Sequence, residues 1–109
     1  MNAPGIVSRG LYKKEREEMS DILVTVSSGF RDIKPMNGEY YGEIELRHYV
    51  GEERKNVVVG NREKVLIFDL EGKMKGKLPN RVATSWYREI DQSDWIAGDA
   101  ILVDRKHIK

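Results

Sequence analysis

The sequence predicts a mostly β domain: a small barrel or sandwich of five to six strands with one short helix before it. Three observations lead there. Stretches of period-two hydrophobicity recur at short spacing, turn-forming residues separate them, and no helices alternate with them. At 109 residues, with 39% hydrophobic and 34% charged side chains, the chain closes around one core. Residues 1–20 read as an arm and short helix, and residues 21–109 as a single small β-barrel domain.

Pro4, Gly5 and Gly10 deny the first residues a sustained period, so that arm orders only on a surface. Leu11, Tyr12, Glu15 and Met19 then fall at helical neighbours within a run of good helix formers. After Asp21 the period changes to two, and Ile22, Val24 and Val26 share one strand face. Ser27-Ser28-Gly29 breaks that strand, and Asn37-Gly38 is the strongest turn signal in the chain. A second strand is expected over residues 39–50, where Ile44, Leu46, His48 and Val50 oppose Glu43, Glu45, Arg47 and Tyr49. Residues 56–59 are a β-branched run between two turns, as in a hairpin. Residues 64–70 are apolar on both faces in their middle, as a central strand is.

Residues 73–78 alternate strictly, which places Met74, Gly76 and Leu78 on one strand face and Lys73, Lys75 and Lys77 in a row on the other. Residues 81–94 suit a short helix or ordered loop carrying Trp86 and Tyr87. Trp95, placed before the Gly98-Asp99 turn, reads as a buried plug, and residues 100–103 as the last strand.

The absence of cysteine excludes disulfides, thiolate metal sites and cysteine nucleophiles, and fits a cytoplasmic protein. The sequence has neither the ~7–15-residue apolar core of a secretory signal nor the ~18 apolar residues of a membrane span, so no membrane partner is expected. His48 and His107 lack paired ligand spacing, and no structural metal or cofactor is expected. His48 falls in an apolar phase and reads as a hydrogen-bonded rim or core residue. No Ser or Thr neighbours either histidine in a nucleophile motif, and the acids Glu89, Asp91, Asp94 and Asp99 lack the spacing of a calcium loop. The expectation is a chain that is not an enzyme.

What remains is charge placed on a β surface. The net charge is only +1, yet over residues 62–88 Arg62, Lys64, Lys73, Lys75, Lys77, Arg81 and Arg88 outnumber Glu63, Asp69 and Glu71. A basic strand face with Trp86 and Tyr87 beside it is how small barrels hold single-stranded nucleic acid, ammonium groups meeting phosphates and rings stacking on bases. The same lysine row also suits the wet face of an antiparallel strand, guarding it against edge-to-edge pairing.

Four fragments in order resemble translation initiation factor 1A and related oligonucleotide-binding barrels. They are Asn37-Gly38-Glu39-Tyr40-Tyr41-Gly42-Glu43-Ile44, then Gly60-Asn61-Arg62-Glu63-Lys64-Val65-Leu66-Ile67-Phe68-Asp69, then Glu71-Gly72-Lys73-Met74-Lys75-Gly76-Lys77-Leu78-Pro79, and finally Trp95-Ile96-Ala97-Gly98-Asp99-Ala100-Ile101-Leu102-Val103. The resemblance implies an OB-fold barrel whose first three strands open on the first three fragments. It also implies a non-enzymatic RNA-binding module with the small ribosomal subunit as partner. Carried over, the RNA-facing residues are Arg62, Lys64, Lys73, Lys75, Lys77, Arg81 and Arg88, with Trp86 stacking. Closing the barrel falls to residues 21–26 or 56–59. The rival reading is an SH3-like or β-sandwich domain of a larger phage or viral assembly, binding a protein partner through its edge strands and Tyr12, Trp86 and Trp95.

Overall fold

In the computed structural model, which describes residues 21–60 and 63–109, five antiparallel strands form one sheet. The arm and helix expected over residues 1–20, and Arg62, lie outside the described residues. In chain order the elements are β1 (Asp21–Val24), β2 (Phe30–Ile33), α1 (Glu43–Tyr49), β3 (Arg54–Val59), β4 (Lys64–Asp69), α2 (Arg81–Tyr87) and β5 (Ala100–Asp104), followed by a 3₁₀ turn at Arg105–His107. The sheet order is β2-β1-β5-β4-β3. Each strand therefore lies beside its neighbour in sequence except β2 and β3, and β5 returns to β1. Among the described residues no pairing joins β2 to β3, so the sheet is not closed into a barrel, and α1 occupies the connection between those two strands.

Both faces of the sheet are covered, which explains the doubly apolar β4. Val65 and Ile67 join Leu23, Ile33, Tyr41, Val50, Ile101 and Val103 in one cluster, with Leu46 and Tyr49 of α1 against it. Leu66 and Phe68 point the other way, into a cluster with Val59, Ala83, Tyr87, Ile96 and Ala100, against which α2 packs.

The strand expected over residues 39–50 is α1 instead. Its period-two set does not stay together: Ile44 is 79% exposed, while Leu46, Tyr49 and Val50, at helical spacing, face the first cluster. Glu43 and Glu45 in the first turn and Arg47 and His48 in the last complement the helix dipole. The Asn37 Oδ1 accepts the Glu39 and Tyr40 N–H groups at 2.7 and 2.9 Å, and Glu45 accepts the Gly42 N–H at 2.9 Å, so the turn leads into a capped helix.

Residues 73–78 are a succession of turns, not a strand. The N–H groups of Lys75, Gly76 and Lys77 bond back to the carbonyls of Glu71, Lys73 and Gly72 at 3.0 Å each. Gly72 makes this path possible, because a β-carbon there would stand 2.4 Å from the Ala97 carbonyl oxygen. The unanticipated strand β2 has three exposed residues, Phe30, Arg31 and Asp32, and hence no apolar alternation to announce it.

A buried carboxylate joins the two ends of the sheet's middle strands. Asp21 accepts from the Tyr41 hydroxyl, His107 Nδ1 and the Asp104 N–H, each at 2.7 Å. Burial and this carboxylate hold the Tyr41 hydroxyl well above the usual tyrosine range.

The β1–β2 hairpin turns through Ser28 at φ 68°, a left-handed conformation in which a β-carbon is strained. Ser28→Gly is expected to raise stability by roughly 0.5–1 kcal/mol in urea unfolding, strain relief outweighing the added freedom of the unfolded chain. A loss of stability would show that the turn is not strained there.

Candidate nucleic-acid interface

The helix α2 carries two kinds of face. Ala83 and Tyr87 point into the second cluster, with half-buried Trp86 beside them. Arg81, Thr84, Ser85 and Arg88 follow the i, i+3, i+4, i+7 spacing and share the opposite face. Seven residues at ~1.5 Å rise separate Arg81 and Arg88 by about 10 Å along the axis.

Asn80 docks this helix. Its side chain is fully buried, and its Oδ1 caps α2 by accepting the Ala83 N–H at 3.0 Å. Its Nδ2 donates to the Val24 carbonyl at 2.9 Å and the Gly98 carbonyl at 3.0 Å. Around it the Asn80 N–H reaches the Ile96 carbonyl at 2.8 Å, and Thr84 Oγ1 accepts the Ile96 N–H at 2.9 Å. Ile96, only 1% exposed, is thus the buried anchor of this segment. Trp95, expected as the plug, is 40% exposed.

The result is a groove of about 390 Å³ lined by Pro79, Arg81, Thr84, Ser85, Arg88 and Trp95. It brings one tryptophan and two arginines to a single cavity. Neither Arg81 nor Arg88 is paired with a carboxylate among the described residues.

The lysines behave differently. Lys75 and Lys77 both turn onto the buried Asp69 carboxylate, at 3.0 and 2.7 Å, so the three lysines do not form a row on a strand face. Lys73 pairs with Asp94 and stands 4.7 Å from the centre of the Trp95 ring. The Lys73 ammonium and the Trp95 N–H hold the Asp94 carboxyl below the usual range. Three of the four acids singled out in the last third have a partner in the fold: Asp94 takes Lys73, Asp91 accepts from Ser93, and Asp99 accepts the Val26 N–H at 3.0 Å.

Of the residues anticipated from sequence, Arg81 and Arg88 meet in one groove and Lys73 reaches it through Trp95. Trp86 packs against the core behind α2. Lys64 opens β4, about 17 Å along the strand from its last residue and from the turns that follow. Sequence reasoning missed Pro79, Thr84 and Ser85 as groove residues and gave Trp95 a contact role only in the protein-binding rival; the helical spacing of residues 81, 84, 85 and 88 was the signal that could have found α2's open face.

No protein-family model, curated protein or solved structure matches the chain.

Two measurements test this architecture. Asn80→Ala leaves two buried carbonyls without donors and removes the cap, and should cost about 2–4 kcal/mol by urea unfolding; a loss below about 1 kcal/mol would exclude the docking role. Burial pushes the Asp69 carboxyl up, but Lys77, Lys75 and the Glu71 N–H outweigh it and hold its pKa below the usual value. Its stabilisation is therefore present above the unfolded pKa of about 3.9 and lost as pH falls through the lowered folded value. Asp69→Asn should be less stable at pH 7 and should lose less stability than the unsubstituted chain on acidification below about pH 4. Parallel acid curves would assign that loss to other groups.

Proposed function

We propose that the protein is a non-enzymatic module that binds single-stranded RNA in the groove between α2 and Trp95. One observation carries this reading: two arginines without an ion pair among the described residues share a groove with an exposed tryptophan. Guanidiniums bind phosphates through charge and paired donors, and an exposed ring stacks on any unpaired base. In this reading a base stacks on the ring and the neighbouring phosphates meet Arg81 and Arg88. A duplex keeps its bases stacked on one another and offers the indole nothing.

That the strand is RNA, bound in the cytoplasm and on the small ribosomal subunit, rests on the resemblance to initiation factor 1A. A closed five-stranded barrel remains part of the same proposal, as a meander ring and not in the Greek-key order of an OB-fold. The neighbour order β1 to β2, β3 to β4 to β5 and back to β1 lacks only a β2–β3 contact to become a ring. A protein-interaction domain is the second reading, favoured by the edge of β2, unpaired among the described residues, and its 60% exposed Phe30.

Fluorescence anisotropy with a labelled ten-nucleotide unstructured RNA, over a range of KCl concentrations, separates them. Arg81→Gln and Arg88→Gln should each weaken binding and flatten the salt dependence by about 0.7. Trp95→Ala should cost about 1–3 kcal/mol with the salt slope unchanged. Absence of saturable binding at low salt, or arginine variants with an unaltered slope, would overturn the RNA reading.

A further inference from the structure

Trp95 lines two cavities. One is the groove of Arg81 and Arg88. The other is a small cleft of about 90 Å³ whose lining includes Lys55, Lys73, Tyr87 and Asp94. Lys73 lines the cleft and not the groove, and its ammonium sits over the ring. Asp94 accepts from Lys73 and, at 2.7 Å, from the backbone N–H of Trp95 itself. One carboxylate thus ties together the residue that bears the ring and the cation that rests on it.

We propose that Lys73 is a positioning residue: anchored by Asp94, it braces one face of the Trp95 indole and so presents the other to a base in the Arg81–Arg88 groove. The proposal rests on the RNA reading of that groove and assigns Lys73 a role other than phosphate contact. A partly exposed indole otherwise samples several rotamers, and a base that stacks on it has to select one. A cation over the ring narrows that choice before the ligand arrives. Lys73 is the cation placed to do so, because its partner Asp94 is adjacent to Trp95 in sequence and moves with it.

Proton NMR of the unbound chain tests the brace directly. The side-chain methylene protons of Lys73 should resonate upfield of those of Lys75, displaced by the ring current, and Trp95→Leu should abolish the difference. Equal shifts would overturn the proposal. RNA affinity across salt tests the role. Lys73→Met, combined with Asp94→Asn so that no unpaired acid is left at the site, should weaken binding about two- to five-fold, the size of an exposed cation–ring contact. Its salt slope should match that of the unsubstituted chain. Lys73→Arg should restore affinity, because a guanidinium also stacks on an indole.

A slope reduced by about 0.7 in the Lys73→Met protein would make Lys73 a phosphate contact and overturn the positioning role. Unchanged affinity would do the same. If the unsubstituted chain binds no RNA, the functional reading and the role of Lys73 fall together; if it binds and only the Lys73 substitutions are silent, the functional reading stands and the positioning role alone falls.

Discussion

One buried amide, the side chain of Asn80, holds together the parts of the molecule that form the groove. It has two N–H bonds to give and an oxygen that accepts, and the structure uses both functions. The donors go to β1 and to the Gly98 carbonyl, and the acceptor to the first turn of α2. Aspartate would leave two carbonyls facing a carboxylate, and glutamine is a methylene too long for the same geometry. The groove exists because this amide brings a helix, a strand end and the Trp95–Gly98 segment to one point. The ion pairs and the ring contact nearby are arranged on a scaffold already set by three neutral hydrogen bonds.

Where the chain must bury alternate residues on one sheet, its sequence says so. β1 lies where period-two patterning places it, β3 where a β-branched run does, and β4 and β5 where short apolar runs do; the two-sided apolarity of Val65 to Phe68 matches a central strand covered on both faces. Failures fall where local pattern and tertiary demand disagree. Among the described residues the β2 strand pairs on one side and buries Ile33 alone, so it carries no pattern. In α1 the alternation of apolar residues is accidental, and the contacts chosen by the core, Leu46 with Tyr49, lie three apart. The alternation of lysines in residues 73–78 reflects two side chains converging on one acid, and periodicity cannot distinguish that from a strand.

Charge was legible as an inventory and not as a distribution. The excess of Lys and Arg over residues 62–88 suggested a broad basic surface. Folding internalises part of it, since Asp69 takes two lysines and Asp94 a third. Those acids sit in sequence on either side of the lysines they neutralise, a relation that only the turn at Gly72 brings about. What stays available is a pair of arginines seven residues apart on one helix face, a smaller and more directional site than the count of charges implied. The exposed indole opposite them was hidden by the reasonable expectation that a tryptophan before a Gly-Asp turn is buried; its neighbour Ile96 fills that role.

The shared carboxylate of Asp21 has a topological consequence. By holding His107 and the Asp104 N–H, it brings residue 21 and residue 107 to the same corner of the sheet, at the start of β1 and the end of β5. The groove lies at the opposite ends of these two strands, where Val24 and Ala100 meet the Asn80 amide and the Gly98 turn. Residues 21 and 107 therefore stand together, on the side of the sheet turned away from the groove. A described fold that starts and finishes at one corner can be spliced into a loop of another protein, or have that corner joined and be reopened elsewhere.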